Sequence, residues 1–121
     1  MGKKILIVDD SIVEIKILQA ILAETDYRVT VARDGEEGEM TAKTLLPDLI
    51  FLDVVMPKKN GFQVCRDLRK NPQFQQTPII MLTSKSHDTD KFWGKQQGAT
   101  EYLTKPYEKQ QILDVLAKYL A

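Results

Sequence analysis

Cysteine is almost missing from this sequence: Cys65 is the single one among 121 residues. One thiol cannot form an intrachain disulfide or supply a multi-cysteine zinc site, which excludes disulfide-stapled secreted domains and zinc ribbons. Cys65 lies in a stretch with helical spacing, so we interpret it as a packing residue. The cysteine content fits a reducing compartment.

Long apolar runs and an excess of one charge are also missing. After MGKK only four apolar residues precede Asp9, too few for a signal peptide, and no run approaches the length needed to span a membrane. Seventeen basic and seventeen acidic residues cancel, so no overall field attracts nucleic acid or anionic lipid. We predict a cytoplasmic protein with no nucleic-acid partner and no membrane insertion, and the single histidine, His87, receives no role.

The chain has the length and the 43% hydrophobic content of one domain with a single core, which we place at residues 1–121. Short apolar or β-branched runs alternate with segments of helical periodicity. The predicted strands are 5–8, 28–32, 49–52, 79–82 and 101–104. Apolar strands joined by helices predict an α/β fold, a doubly wound (βα)5 unit with a five-stranded parallel sheet covered on both faces.

Helix start signals support this division. A capping residue is followed three positions later by Glu or Gln in three places, at Ser11 with Glu14, Asp34 with Glu37 and Asn60 with Gln63. The first helix should bury a stripe formed by Ile12, Ile15, Leu18, Ile21 and Leu22. The last should cover residues 108–120 and bury Ile112, Leu113, Leu116 and Leu120.

The polar side chains that follow the first, third, fourth and fifth predicted strands are the candidates for a site. They are Asp9 and Asp10 after the first strand, Asp53 after the third, Thr83 and Ser84 after the fourth, and Lys105 after the fifth. The carboxyl ends of parallel strands meet at one edge of the sheet, and ligands bind in the crevice at this edge. We therefore expect three carboxylates, two hydroxyls and one ammonium to converge there.

These groups suit phosphoryl chemistry. Three neighbouring carboxylates repel one another unless a cation is present, and their hard oxygens suit Mg²⁺. Lys105, Thr83 and Ser84 would contact phosphoryl oxygens, and Asp53 could attack phosphorus as a nucleophile.

Each residue also has an ordinary structural interpretation. Asp9 and Asp10 could cap a helix, Asp53 could occupy a turn, Ser84 could cap a loop, and Lys105 could be solvated. Their joint placement at one edge favours the functional interpretation.

The segments ILIVDDS, FLDVVMPKKNG, IIMLTS and YLTKP, in this order and at the ends of these strands, resemble the receiver domains of two-component response regulators. The resemblance covers the whole chain and is strongest to stand-alone chemotaxis-type regulators. It implies a flavodoxin-like sheet of order 2-1-3-4-5, which the sequence pattern alone does not give. It also implies a single receiver domain without an output domain, a signalling phosphoprotein and not an enzyme.

Carried over by motif, the resemblance implies that Mg²⁺ or Mn²⁺ is bound by Asp9, Asp10, Asp53 and the backbone carbonyl of Val55. Asp53 would accept the phosphoryl group of a histidine kinase, the upstream partner. Lys105 would contact the phosphate.

The resemblance also implies a switch. Thr83 and Tyr102 match the switch pair, whose hydroxyl moves toward the phosphoryl group while the ring turns inward. The face formed by the fourth helix, fifth strand and fifth helix would then change its affinity for a downstream protein. The alternative is a phosphate sink that competes for the phosphoryl groups of the kinase, and the sequence does not separate the two. Pro106 matches a proline preceded by a cis peptide bond.

Two finer expectations concern the second half of the chain. TDKFWGKQQGATEYLTKP is similar to regulators of pilus-based twitching motility and cyanobacterial phototaxis. Phe92 and Trp93 are adjacent, so both cannot face the core of a helical segment, and one is expected on a partner surface. Val55 and Lys85 stand two residues after Asp53 and Thr83 and cannot orient an attacking water, so we predict slow self-dephosphorylation.

Three other functions remain open at this point. A phosphatase similar to haloacid dehalogenases would need a second acid where Val55 stands and a cap domain. A flavin-binding electron carrier would need a neutral phosphate loop where Asp9 and Asp10 stand. A constitutive adaptor would keep its function after Asp53→Ala.

Overall fold

The computed structural model describes residues 2–121 and contains one five-stranded parallel sheet. The strands are β1 Lys4–Val8, β2 Arg28–Ala32, β3 Leu49–Leu52, β4 Ile79–Thr83 and β5 Glu101–Thr104. Their order is β2-β1-β3-β4-β5, and every neighbouring pair is parallel. The predicted fold class and the strand order implied by the resemblance are confirmed.

Within residues 2–121, five helices connect and flank the strands. They are α1 Ile12–Leu22, α2 Gly35–Leu45, α3 Gly61–Arg69, α4 Asp88–Gln96 and α5 Lys109–Leu120. A short 3-10 turn at Pro72–Phe74, which the sequence did not predict, precedes β4. Within residues 2–121, no helix combines the length and apolarity that crossing a bilayer requires.

All three predicted capping residues form side-chain hydrogen bonds at the start of a helix. The side chain of Ser11 accepts a hydrogen bond from the Glu14 amide, and Asp34 does the same for Glu37. Asn60 and Gln63 form a complete reciprocal capping box at the start of α3. These caps fix where each helix leaves the loops at the carboxyl edge of the sheet.

The core has two layers because side chains alternate along each strand. Ile5 and Ile7 of β1 belong to the layer under α1 and α5, whereas Leu6 and Val8 belong to the layer under α2, α3 and α4. All four residues of β3 are buried, so this central strand is covered on both faces. A rigid sheet thus supports the loops at its carboxyl edge.

Two predicted helix stripes need correction. The side chain of Ile12 is 52% exposed, because it lines an open surface pocket beside Val31 and Arg33 and is not covered from the solvent side. In α5, Val115 is buried while Leu113 is only partly buried. The remaining predicted stripe residues of both helices are buried.

Cys65 is a core residue, as predicted, and we expect its thiol to be unreactive in the folded protein. Its Sγ donates a hydrogen bond to the Gln97 carbonyl oxygen at 3.3 Å, and burial raises its pKa to about 11. Because the thiolate is the reactive form, alkylation at pH 8 should be about a hundredfold slower in the native protein than in urea. Mass spectrometry after timed alkylation measures both rates, and rapid labelling of the native protein would contradict the assignment.

Candidate functional site

Backbone hydrogen bonds hold the candidate residues at the carboxyl edge. The Asp53 amide donates to the Val8 carbonyl oxygen at 2.9 Å, so Asp53 continues the pairing of β3 with β1. The Lys105 amide donates to the Thr83 carbonyl oxygen at 2.9 Å and extends the pairing of β5 with β4. These residues are therefore placed by the sheet and not by flexible loops.

Three carboxylates converge at this edge. One oxygen from each of Asp9, Asp10 and Asp53 lies within 4.8 Å of the others. Asp9 is 6% exposed and Asp53 is 9% exposed, whereas Asp10 is open to solvent. The group therefore has two anchored oxygens and one accessible oxygen, and hard oxygen donors of this kind fit a small divalent cation that keeps part of its water shell.

Lys105 lies across the cluster. Its Nζ is 2.7 Å from Asp9 Oδ2 and 3.5 Å from Asp53 Oδ2. Burial lowers the pKa of Lys105, but the hydrogen bond to Asp9 and the charges of both aspartates outweigh it, and the net pKa is raised. The side chain is therefore a fixed ammonium beside Asp53.

The surroundings of Asp53 oppose the ionisation of its carboxyl group. Burial raises the pKa of its carboxyl; the charge of Lys105 lowers it and that of Asp9 raises it, with a net rise above 3.8. Its Oδ1 accepts a hydrogen bond from the Val54 amide at 2.7 Å. A buried carboxylate with an incompletely compensated charge is typical of functional sites.

The predicted switch residues meet at one peptide segment. Thr83 is fully buried, and its Oγ1 accepts a hydrogen bond from the Lys85 amide at 3.3 Å. The Tyr102 hydroxyl donates to the Lys85 carbonyl oxygen at 2.6 Å. Ser84 is exposed, and within residues 2–121 its side chain makes no hydrogen bond. Thr83 and Tyr102 are thus linked through Lys85.

Helix α4 lies close to the ring of Tyr102. A Cβ added at Gly94 would come 2.7 Å from Tyr102 Cδ2, so the glycine permits this close approach. Phe92 is 62% exposed and Trp93 52% exposed. The sequence predicted one exposed aromatic residue here, and the structure exposes both.

The peptide bond between Lys105 and Pro106 is cis, as the resemblance implied.

Val55, whose backbone carbonyl was predicted to bind the metal, stands two residues after Asp53, and its side chain is 58% exposed.

Two residues of this region were missed in the sequence. A Cβ at Gly61 would lie 2.1 Å from the Asp53 carbonyl oxygen, so this position holds the loop after β3 against its own strand. Arg33 lies at the rim, with its guanidinium nitrogen 3.5 Å from the Asp10 carbonyl oxygen. Arg33 directly follows a strand, so the rule that selected Asp53 and Lys105 would also have found it.

Comparison with known proteins bears on the whole chain. The family model for the response regulator receiver domain matches residues 5–117. Protein PilH of Pseudomonas aeruginosa is 42% identical over 118 residues, which cover 98% of each chain.

Solved structures of receiver proteins are similar to this chain over nearly its whole length. The chemotaxis response regulator CheY4 of Vibrio cholerae has a TM-score of 0.90 and 35% identity, over 98% of this chain and 99% of that one. The receiver domain of the sensor histidine kinase PA1611 from Pseudomonas aeruginosa, which has a magnesium ion in its active site cleft, has a TM-score of 0.91 and 29% identity, over 99% of this chain and 98% of that one. The chain belongs to the response regulator receiver domain family of two-component signalling.

Proposed function

We propose that this chain accepts a phosphoryl group from a histidine kinase on Asp53, in a Mg²⁺-dependent reaction, and that phosphorylation changes its affinity for a protein partner. One observation carries the proposal: the carboxylates of Asp9, Asp10 and Asp53 meet within 4.8 Å with the Lys105 ammonium across them. Receiver domains interact with histidine kinases, which supports this class of donor.

The residues fit a divalent cation. Asp9, Asp10 and Asp53 would hold Mg²⁺, or Mn²⁺, together with the Val55 carbonyl. When bound, the ion supplies positive charge that stabilises phosphoryl oxygens. The magnesium ion in the PA1611 receiver domain supports this assignment.

Asp53, Lys105 and Thr83 would have separate roles in the transfer of the phosphoryl group. An Asp53 carboxylate oxygen forms the new bond to phosphorus while the bond from phosphorus to the donor's leaving atom breaks. Lys105, already an ammonium 3.5 Å from Asp53, would move from its carboxylate partners to a phosphoryl oxygen. Thr83 would donate its hydroxyl to a second oxygen, and Ser84 stands next to it.

The conformational change that follows phosphorylation would be transmitted through the backbone of Lys85. If the Thr83 hydroxyl turns to the phosphoryl group, the Lys85 amide loses its 3.3 Å hydrogen bond. The Tyr102 hydroxyl holds the carbonyl of Lys85, so movement of this segment reaches the ring packed on α4. The changed surface would comprise α4, β5 and α5, where Phe92 and Trp93 are exposed.

We further propose that residues 1–121 form a single receiver domain, that the protein acts in the cytoplasm and that it is not an enzyme. Its output would be protein contact in chemotaxis, phototaxis or pilus-based motility. The similarity to PilH over 98% of both chains supports the pilus branch.

Intact mass tests the proposal. Wild-type protein incubated with Mg²⁺ and acetyl phosphate should gain one phosphoryl group, and Asp53→Asn should gain none. Chelating the metal should prevent the gain. A folded wild-type sample that gains nothing, with acetyl phosphate or with candidate kinases, would favour the constitutive adaptor.

The phosphoryl group should be lost slowly once formed. Val55 and Lys85 stand two residues after Asp53 and Thr83, and neither side chain has a carboxylate or amide to orient water. After donor removal, the adduct should persist for minutes or longer by intact mass. Loss within seconds would contradict this prediction.

A further inference from the structure

Arg33 occupies the rim of the acid cluster, immediately after β2. Its side chain is exposed, and its guanidinium nitrogen is 3.5 Å from the Asp10 carbonyl oxygen. Its amide donates to Glu37 Oε1 at 2.7 Å, within the cap of α2, which fixes the backbone from which the side chain extends. The guanidinium therefore stands beside the most accessible of the three carboxylate residues.

Arg33 and Lys16 of α1, which line one surface pocket, form no salt bridge within residues 2–121, whereas three other cations around this edge each have a carboxylate partner. The pairs are Lys58 with Asp34 at 3.7 Å, Lys85 with Asp90 at 3.7 Å, and Lys105 with Asp9 at 2.7 Å. Across residues 2–121, no carboxylate lies within 4.0 Å of the Arg33 guanidinium. The guanidinium of Arg33 therefore forms no direct ion pair.

An anionic donor meets an electrostatic obstacle at this edge. Three carboxylates and one ammonium leave two negative charges, which one divalent ion offsets. A phosphoryl donor brings further negative charge, so its approach depends on any additional cation near the entrance. A free surface charge attracts such an anion over about one Debye length, and salt screens the attraction.

We propose that Arg33 is an electrostatic positioning residue that attracts the anionic phosphoryl donor to the Asp53 site. The inference rests on the proposed function and adds a residue to it. Because the same positive charge repels a metal ion, Arg33 must favour donor approach while opposing Mg²⁺ binding. These opposite signs distinguish a field effect from structural damage, which would weaken both.

The first experiment measures the phosphorylation rate with acetyl phosphate at saturating Mg²⁺ and low ionic strength. Arg33→Gln should react about threefold more slowly than wild type, and Arg33→Lys should restore most of the rate. At high ionic strength the difference should vanish. The matched control is Arg28→Gln, which removes the same charge from the exposed opposite end of β2 and should leave the rate unchanged.

The second experiment measures Mg²⁺ affinity by calorimetry without any donor. Arg33→Gln should bind Mg²⁺ about twofold more tightly than wild type, and Arg28→Gln should match wild type. Equal rates for the two glutamine variants, a rate loss that salt does not remove, or weaker Mg²⁺ binding by Arg33→Gln would each overturn the proposal. A wild-type protein that takes up no phosphoryl group would instead refute the proposed function, and the calorimetry would still decide whether Arg33 acts on the metal site.

Discussion

Replacing Gly61 with alanine is expected to destabilise the fold by about 3 kcal/mol, since the new methyl group meets backbone atoms that cannot move aside. The added Cβ would lie 2.1 Å from the Asp53 carbonyl oxygen and 2.8 Å from Val54 Cα. The Gly61 amide also donates to the Val54 carbonyl oxygen at 2.8 Å, so relief of the clash would break this bond. Thermal unfolding should show a fall in Tm of about 10 °C.

The same change should impair phosphorylation, because the clash displaces the backbone of the proposed acceptor. A suitable control is Ser86→Ala, in the exposed loop between β4 and α4, whose side chain makes no hydrogen bond within residues 2–121. It should retain the wild-type Tm within about 1 °C. A Gly61→Ala protein as stable as this control would show that the loop after β3 is not held as described.

Asp53→Asn is expected to stabilise the metal-free protein. Burial and the neighbouring Asp9 raise the pKa of Asp53 despite Lys105, so the ionised group costs folding free energy at pH 7. Asparagine removes this cost, so the Tm of the metal-free Asp53→Asn protein should lie above that of wild type. Because the folded pKa is raised, the wild-type penalty grows as pH rises from 3.8 through the folded pKa, and the two proteins should converge toward pH 4.

Mg²⁺ should shift the comparison between wild type and Asp53→Asn in the opposite direction. At a free concentration ten times its Kd, a ligand that binds only the folded state adds about 1.4 kcal/mol. Wild type should gain this increment, and Asp53→Asn should gain much less, because one of the three carboxylates is lost. Asp114→Asn, an exposed change on α5, should respond to Mg²⁺ as wild type does. Equal Mg²⁺ responses of wild type and Asp53→Asn would contradict the proposed ligand set.

The sheet and its functional edge follow from local sequence properties. The predicted strands 28–32, 49–52 and 101–104 match β2, β3 and β5, since each is a short apolar or β-branched run between turn signals. The convergence of Asp9, Asp53 and Lys105 then required only that carboxyl ends of parallel strands share one edge. The strand order came from the resemblance, because periodicity does not determine which strands are neighbours.

Features that depend on distant contacts were not predictable. Gly94 is matched to the ring of Tyr102, and neither residue alone indicates the contact. Arg69 donates to the carbonyl oxygens of Gly98 and Thr77 at 2.9 Å and 2.7 Å, tying α3 to the segments before β5 and β4. The sequence does not indicate this role, because Arg69 is one of seventeen basic residues. The exposure of Ile12 likewise depends on its tertiary surroundings, which the spacing of the apolar residues in α1 does not reveal.

The central claim is that the carboxylate of Asp53 is the phosphoryl acceptor, and locating the covalent bond tests it most directly. Wild-type protein phosphorylated with acetyl phosphate and Mg²⁺ would be treated with borohydride, which reduces an acyl phosphate to an alcohol, and then mapped by peptide mass spectrometry. Homoserine at position 53 is the predicted result, with Asp9, Asp10, Thr83 and Ser84 unmodified. Reduction at another aspartate, or a stable phosphoryl group on Thr83 or Ser84, would contradict the account.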